Sequence, residues 1–436
     1  MPKSHASAPE DLLDVWVRDL HGLRKVGTLE RYSEPGFAWQ VRTAFYYDDG
    51  LSDRDAVSIT MPVRRAPYEP EVAGLVGNLP PIFDQSLPEG ALRDYLMRQY
   101  AKVVENIGDF DLAALTGSTF IGRVLVTSHG EAPNLDAGPT VSLERIVRDP
   151  DSLALMEELM GISARRSGVS GAHPKVLYRP SEHRNEPARA TLTTGEYILK
   201  TPGDDFPWLS INEYLCMSVS VRSGLPSARV HLTESGQMLI IERFDRQDDG
   251  TPLGFEDGAT LCARTARQKY EGSYEILVRN FLLMVESAGR PALRSALFKR
   301  IVLSCALGDG DAHLKNFGML YGDPDDTVKF APAYDICSTL PYIAQDQMAL
   351  SMGGKRLFPS ADHLMDFGRV VCGLSRKQVR SVFEEVHGAT RDTLEDLDDY
   401  CDLYPDFADA CGKKLFSVWQ SLAKHVLAIP LARPGS

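Results

Sequence analysis

The chain has 436 residues, of which 43% are hydrophobic and 25% charged, and its net charge is -13. This composition is typical of a globular protein with room for two or three domains. The negative charge argues against autonomous binding to nucleic acid, which requires a basic surface. The first ten residues are polar and no apolar run could cross a bilayer, so we expect a cytoplasmic protein without a membrane partner.

The N-terminal part predicts a small β-rich unit followed by helices. Alternating apolar residues predict strands over 12–20, 23–29, 37–47 and 57–62, and helical spacing begins at Pro88 and again at Asp109. The run from Pro80 to Gly90 is interpreted as an ordered connector without a chemical role of its own. A cluster of Pro, Asn, Asp and Gly over 131–137 predicts a domain boundary.

A loop of small residues follows a helix predicted over 141–160. Small residues let backbone amides approach phosphate oxygens, so the loop is a candidate phosphate site, although it has neither the Walker pattern nor the kinase G-x-G-x-x-G. A plain turn is the alternative. The candidate phosphate-binding residues are Ser170, Gly171, Ala172, His173, Pro174 and Lys175.

The next elements place a lysine before a glutamate. A strand predicted over 191–202 carries Lys200, and a helix that follows carries Glu213. In kinases such a pair orients the nucleotide phosphates. A solvated lysine at a strand end is the alternative. A hairpin predicted over 228–243 then ends at Glu242, Arg243 and Phe244, where the backbone of a hinge would read the adenine edge.

Beyond residue 248 the chain is mainly helical, with helices predicted over 273–287 and 292–307. The second helix leads into LGDGDAHLKNFGMLY, where Asp311 and Asn316 stand five apart, like the base and the metal-binding Asn of the kinase pattern H-R-D-x-x-x-x-N. Asp335 could be a second metal ligand, and two hard oxygen ligands suit Mg²⁺. A polar surface turn is the alternative. The seven cysteines are widely spaced and predict reduced thiols.

Several blocks together resemble the HipA family of bacterial toxin kinases. They are GVSGAHPK, YILKTP, NEYLCMSVSVRSGL, IIERFDR, KYEGSYE, GDGDAHLKNF and PAYDI, with VWVRDLHGLRKVGTLE, PPIFDQSLPEGALRDYL and LAALTGSTFIGRV before them. The resemblance covers nearly the whole chain. It implies an α+β, eukaryotic-protein-kinase-like two-lobed fold with an extra β-rich N-terminal subdomain. The expected divisions are 1–140 for that subdomain, 141–247 for the kinase N-lobe and 248–436 for a mainly helical C-lobe.

The resemblance also implies the chemistry: ATP, Mg²⁺ and phosphorylation of serine or threonine in a protein such as an aminoacyl-tRNA synthetase. It makes Asp311 the catalytic base, Asn316 and Asp335 the metal ligands, and Lys200 the phosphate-binding lysine. The remaining residues expected at the nucleotide are the phosphate loop and hinge given above, with His313, Lys315 and Tyr334.

The family implies partners as well. A small helix-turn-helix antitoxin of the HipB type is expected, and DNA is expected only indirectly, through the complex with that antitoxin. The basic cluster Arg376, Lys377 and Arg380 could touch DNA there, or be an exposed helix start.

The phosphate loop departs from the family pattern. Family members autophosphorylate a serine there, often in a Ser-x-Ser-Gly context, but Gly168 replaces the first serine here. Ser170, or alternatively Ser167, is the expected site of autophosphorylation.

Two other functions stay open at this point. One is a nucleotide-binding pseudokinase that acts as a co-repressor with its antitoxin. The other is a small-molecule phosphotransferase, which would need an acidic pocket such as Asp392, Glu395 and Asp396 could line.

Overall fold

The computed structural model describes residues 11–34, 37–70, 79–100, 108–135, 141–166, 189–324 and 326–431. Its N-terminal sheet is antiparallel with the strand order β3-β2-β1-β4. The alternation predicted for β1 is confirmed, because Leu13, Val15 and Val17 are all buried. The four strands are β1 (Leu12–Asp19), β2 (Gly22–Glu34), β3 (Phe37–Tyr47) and β4 (Val124–Ser128).

Helices accompany the strands in the described part of the N-terminal region. They are α1 (Pro81–Asp84), α2 (Gly90–Tyr100), α3 (Asp109–Thr116), α4 (Leu143–Arg148) and α5 (Ser152–Arg166). The single helix predicted over 141–160 is wrong, since the chain leaves the helix at Asp149, before Pro150. A residue that precedes proline is disfavoured in the helical region, which accounts for the break.

The strand predicted over 57–62 is also wrong. The segment forms a tight turn with an isolated bridge between Ser58 and Met61. Ser58 Oγ and the N–H of Ile59 donate to the buried carboxylate of Glu256, at 2.8 and 2.7 Å. Because its polar groups bind this carboxylate, the segment turns instead of extending.

A second antiparallel sheet has the order β5-β6-β8-β7, and its last two strands confirm the predicted hairpin. Leu192, Leu199 and Ile240 of this sheet lie in the same apolar core as Val15 and Leu29 of the first sheet. Because the two sheets share this core, the core does not mark a boundary at residue 140, and the division there stays a prediction. The elements are β5 (Arg189–Thr193), β6 (Tyr197–Pro202), α6 (Leu209–Arg222), β7 (Val230–Leu232) and β8 (Leu239–Glu242).

The remaining chain is mainly helical, with one small antiparallel sheet of order β11-β10-β9. The sequence analysis did not predict the first two of these strands in chain order, which have four residues each. Their bounds are β9 (Gly254–Asp257), β10 (Gly318–Tyr321) and β11 (Lys329–Phe330). The helices are α7 (Gly258–Leu261), α8 (Tyr274–Leu283), α9 (Arg290–Leu307), α10 (Ala361–Val370), α11 (Arg376–Asp392), α12 (Leu394–Leu403), α13 (Pro405–Phe407) and α14 (Lys413–Val426).

The core of this helical part is built from amphipathic helices. On α11 the buried residues Val379, Val382, Phe383 and Val386 recur at the spacing of one helix face. Ser375 caps the helix, because its hydroxyl accepts from the N–H of Gln378. All seven cysteines are free, as predicted. Within the described ranges, no helix is both long and apolar enough to cross a membrane.

Candidate active site

The predicted catalytic loop begins where α9 ends. Gly308 has a φ of 74°, the left-handed conformation that commonly ends a helix at glycine. Two residues later the chain passes against Asp346, so close that a Cβ on Gly310 would lie 2.0 Å from Asp346 Oδ2. The N–H of Gly310 donates to Thr339 Oγ1 at 3.0 Å. The loop is thus fixed by its backbone immediately before Asp311.

Asp311 is held through both its side chain and its backbone. Its side chain is almost buried, with 6% of the residue exposed, and Tyr270 Oη donates to its Oδ1 at 2.7 Å. Its own N–H donates to Asp309 Oδ1 at 3.2 Å. A carboxylate oriented in this way is suited to accept a proton from an acceptor hydroxyl.

The pairing predicted for Lys200 is confirmed and extends to a third residue. Lys200 Nζ lies 2.6 Å from Glu213 Oε1 and 2.8 Å from Asp335 Oδ1. Lys200 and Glu213 are only 7% and 2% exposed, so the solvated-lysine alternative is excluded. The strand β6, the helix α6 and the segment after β11 therefore meet at one ammonium group.

Asp335 adopts a conformation that is unusual for a residue other than glycine. Its φ is 55°, and such left-handed residues concentrate at functional sites. Its backbone oxygen accepts from Asn316 Nδ2 at 3.4 Å and from Arg300 Nη2 at 3.4 Å. These contacts bring the two predicted metal ligands together.

Arg300 and Asp309 form a buried pair beneath the loop. Arg300 is fully buried, and its Nη1 lies 3.7 Å from Asp309 Oδ2. Burial raises the pKa of the Asp309 carboxyl to about 7, although Arg300 and a hydrogen bond from Ser304 oppose the shift. Since Arg300 also reaches the backbone of Asp335, this pair connects the Asp311 loop to the second metal ligand.

His313 is buried beside the base. Its ring meets that of Tyr270 edge to face at 5.1 Å. Burial, with Lys269 nearby, lowers the pKa of its imidazole well below the usual value, so the ring is neutral. In the described part of the chain, its Nδ1 is a buried polar atom without a hydrogen-bond partner. Such an atom is suited to contact a bound polar ligand.

Lys315 lies in a second group of charges that reaches into the N-terminal region. Its ammonium contacts the carboxylate of Glu89 and donates to Gln85 O at 3.1 Å. Lys269 Nζ contacts the same carboxylate at 2.9 Å. Although burial opposes ionisation, the two ammonium groups hold the pKa of Glu89 well below its usual range. Residues 80–90 therefore contact the catalytic loop, which the sequence analysis did not predict.

The predicted hinge follows β8. The N–H groups of Glu242 and Arg243 donate to Arg229 O and Glu196 O, both at 2.9 Å. The N–H of Phe244 has no acceptor among the described residues. The ring of Phe244 stacks on Tyr334 with centroids 5.2 Å apart, which brings two predicted nucleotide residues together beside the hinge.

The structure thus brings together Lys200, Glu213, Asn316 and Asp335, and places Asp311 and His313 on the same loop. The phosphate-loop predictions, Ser167 and residues 170–175, lie outside the described residues. The sequence reasoning gave no role to four contributors, although three of them lie in blocks that resemble the family and Arg300 is a basic residue within an apolar helical run. The four are Glu89, Tyr270, Arg300 and Asp309.

The donors present fit a nucleotide with Mg²⁺. Asn316 and Asp335 offer amide and carboxylate oxygens, the hard ligands that Mg²⁺ prefers. Lys200 offers an ammonium for phosphate oxygens, and His313 Nδ1 is a buried polar atom near the base. By contrast, Asp396 pairs with Arg222 at 2.7 Å and Asp392 with Arg391 at 2.8 Å. These acidic residues serve surface ion pairs and give no support to a polyamine pocket.

Comparisons with known proteins identify the family of the chain. The family model described as HipA-like C-terminal domain matches residues 167–394, and the one described as HipA N-terminal domain matches residues 13–127. Two proteins of Sinorhizobium fredii are similar: "Putative kinase Y4dM" is 29% identical over 63% of this chain and 66% of its own length. "Putative kinase Y4mE" is 28% identical over 87% and 91%.

One solved structure shares the fold over almost the whole chain. It is that of HipA in the Shewanella oneidensis MR-1 complex of HipA, HipB and operator DNA, with a TM-score of 0.66 at 17% identity. The match covers 96% of this chain and 98% of the other. The predicted α+β architecture, with a β-rich N-terminal region and a helical C-terminal region, is confirmed.

Proposed function

Because the chain belongs to the HipA family, we propose that it is an ATP- and Mg²⁺-dependent serine/threonine protein kinase, the toxin of a toxin–antitoxin pair. The observation that carries the proposal is the position of Lys200 between Glu213 and Asp335. This arrangement of lysine, helix glutamate and metal-binding aspartate is what phosphoryl transfer requires of a kinase.

Each residue then has one task. Lys200, oriented by Glu213, binds phosphate oxygens, while Asn316 and Asp335 offer their oxygens to the metal. The Asp311 carboxylate, oriented by Tyr270, accepts the proton of the acceptor hydroxyl. When bound, ATP supplies the phosphoryl group and Mg²⁺ neutralises its charge. Catalysis by these residues consists of positioning and charge stabilisation.

The adenine site is proposed between the hinge and the Phe244–Tyr334 stack. The free N–H of Phe244 would donate to the adenine edge, and the stacked rings would cover its apolar face. Residues 170–175 are proposed to complete the site at the phosphates, with Ser170, or alternatively Ser167, as the site of autophosphorylation.

The proposed acceptor is a protein, with an aminoacyl-tRNA synthetase as the candidate that the family suggests. The proposed partner is a helix-turn-helix antitoxin, since the Shewanella HipA is seen with HipB and operator DNA. DNA contact would be indirect. Arg376, Lys377 and Arg380 are exposed in the first turns of α11 and are candidates for that contact.

Transfer of labelled γ-phosphate from ATP and Mg²⁺ tests the proposal. Wild type and Asp311→Gln are compared for labelling of the protein itself and of a host lysate. Label on a discrete lysate protein with wild type alone is the expected result, and phosphoserine or phosphothreonine analysis identifies the acceptor. Nucleotide binding without Asp311-dependent transfer would overturn the kinase and favour the pseudokinase co-repressor.

Asp335→Asn tests the metal assignment separately. We expect ATP binding to persist while Mg²⁺-dependent transfer falls by about a thousandfold, the scale on which essential groups for phosphoryl transfer act. Activity within tenfold of wild type would remove Asp335 from the site.

A further inference from the structure

An exposed basic turn lies beside the residue that orients the base. We define the rim turn as residues 352–357, with the sequence MGGKRL. Arg356 Nη2 donates to the backbone oxygen of Tyr270 at 2.7 Å, and Tyr270 Oη donates to Asp311 at 2.7 Å. One tyrosine therefore separates the rim turn from the proposed catalytic base.

The backbone of the rim turn is fixed on both sides. Met352 and Lys355 pair as an antiparallel bridge around two glycines with φ of 57° and 75°. The N–H of Gly353 donates to Glu275 Oε1 at 2.8 Å, and Arg356 O accepts from the N–H of Met348 at 2.8 Å. The preceding residue, Ser351, pairs with the segment around Ser273. The turn is thus preorganised against the segment that carries Tyr270.

Its residues 353–357 are nevertheless accessible to solvent, including Arg356, which contacts Tyr270. Leu357 is 63% exposed. In the described ranges, neither Lys355 nor Arg356 has a carboxylate within ion-pair distance. A single exposed lysine is ordinary, but a rigid turn that presents two cations and a leucine next to an active site is preorganised for binding.

We propose that the rim turn binds an acidic segment of the acceptor protein, next to the serine or threonine that is phosphorylated. The inference rests on the proposed protein kinase function. Because the chain as a whole is strongly acidic, with a net charge of -13, it repels acidic segments except where a local cation attracts them. Lys355 and Arg356 supply that attraction, and Leu357 offers an apolar contact.

The geometry also limits where the acidic residues lie. Only Tyr270 lies between Arg356 and Asp311 in this chain of contacts. Because an extended peptide advances about 3.3 Å per residue, an acidic residue bound at the rim turn would lie about two to four residues from the acceptor hydroxyl. The specificity is therefore for aspartate or glutamate close to the acceptor in sequence, with an apolar residue beside it.

A serine-centred peptide library tests this specificity. Acidic, neutral or basic residues are placed at each of four positions on either side of the serine, and labelling from ATP and Mg²⁺ is measured. Wild type is expected to label acidic peptides about fivefold more than neutral ones at one or more positions, the size of an exposed ion-pair effect. Lys355→Glu is expected to abolish this preference and favour basic peptides.

The control variant is Lys424→Glu, which makes the same charge change at an exposed position of α14 and should keep the acidic preference. If free peptides are poor acceptors, wild type, Lys355→Glu and the control variant are compared for labelling of the lysate protein, with that acceptor at limiting concentration. Lys355→Glu is then expected to reduce its labelling about fivefold while self-labelling is unchanged.

The outcomes separate the two proposals. Asp311-dependent transfer without an acidic preference, or with a preference that survives Lys355→Glu, overturns the role of the rim turn and leaves the kinase intact. No Asp311-dependent transfer to any peptide or protein overturns both. Loss of RNA binding in Lys355→Glu, with peptide labelling unchanged, would assign the turn to a nucleic acid and overturn the inference.

Discussion

Two groups of shared charges in the structure have opposite composition. In the first, one ammonium, Lys200, contacts two carboxylates, Glu213 and Asp335. In the second, one carboxylate, Glu89, contacts two ammonium groups, Lys269 and Lys315. In each group, removal of the shared residue leaves two like charges facing one another.

The two groups differ in origin and in burial. The first is assembled within residues 200–335, from the strand, helix and loop that a kinase site needs, and Lys200 and Glu213 are almost fully buried. The second depends on Glu89 from the N-terminal region, whose side chain is 38% exposed. The N-terminal region thus contacts the catalytic loop directly, through charges that are more exposed and therefore interact more weakly.

The largest effect is expected for Lys200→Ala. The change removes the phosphate-binding ammonium and leaves Glu213 and Asp335 opposed, so we expect phosphate transfer to fall by about a thousandfold or more. Labelled phosphate transfer measures it. Lys299→Ala, which removes a lysine paired with Glu385 at 2.6 Å, is the matched control and should remain active. Equal losses in both variants would mean that the first group is structural.

Glu89→Gln tests the second group. Lys269 and Lys315 would repel one another beside the loop, and we expect kcat to fall about tenfold, with a smaller change in KM for ATP. Steady-state kinetics separate the two quantities. Glu158→Gln removes an exposed glutamate paired with Arg145 at 3.0 Å and should have no effect. An unchanged kcat in Glu89→Gln would show that the N-terminal region does not support catalysis.

Tyr270→Phe tests how the base is oriented next to the second group. Tyr270 directly follows Lys269 of that group and donates a hydrogen bond to Asp311. Loss of one hydrogen bond to Asp311 is worth about 1 kcal/mol, so a roughly fivefold lower kcat is expected, with ATP binding unchanged. Kinetics and nucleotide titration provide the two readouts. Tyr404→Phe, which loses a hydrogen bond to Glu234 O at 2.8 Å, should match wild type. A wild-type kcat in Tyr270→Phe would contradict the orienting role.

The smallest effect concerns the pH dependence of stability. The pKa of Asp309 is about 7 in the folded protein, whereas an unfolded aspartate titrates near 3.9. Between these values the folded state holds a proton that the unfolded state has lost, so this contribution to stability is lost as pH rises. Relative to Asp309→Asn, the melting temperature of wild type should decrease by a few degrees from pH 4 to pH 7.

The quantity compared is the change of melting temperature with pH in the two proteins, because Asp309→Asn also alters the pairing of Arg300 at every pH. Parallel melting curves for the two proteins across the window would show that Asp309 is ionised in the folded state. Arg300 and Asp309 would then form an ion pair across the whole pH window, and Arg300 would still contact the backbone of Asp335.

Much of the fold could be predicted from the sequence where the signal was periodic. The alternation in β1 and the apolar helical run of α9 each extend over eight residues or more, and both elements are confirmed. The short strands β9 and β10 were not predicted, because four residues carry little periodic signal, whereas the similarly short β7 and β8 were predicted together as a hairpin. The segment at 57–62 had the composition of a strand, but its pairing with Glu256 decided its shape.

The candidate site divides in the same way. The positions of Lys200 and Glu213 on neighbouring elements were sufficient to predict their contact. The roles of these residues stay predictions until transfer is measured. The predicted phosphate contact of Lys315 also stays a prediction, since the structure places its ammonium on Glu89.

The sequence by itself therefore determined the elements and the local chemistry, because periodicity and loop spacing act over a few residues. Only the tertiary structure decided which distant charges share a partner. Lys315 and Glu89 are 226 residues apart, and Lys200 and Asp335 are 135 apart. Contacts at such separations form because packing of the helical and β-rich parts brings them together, and no local pattern in the chain encodes them.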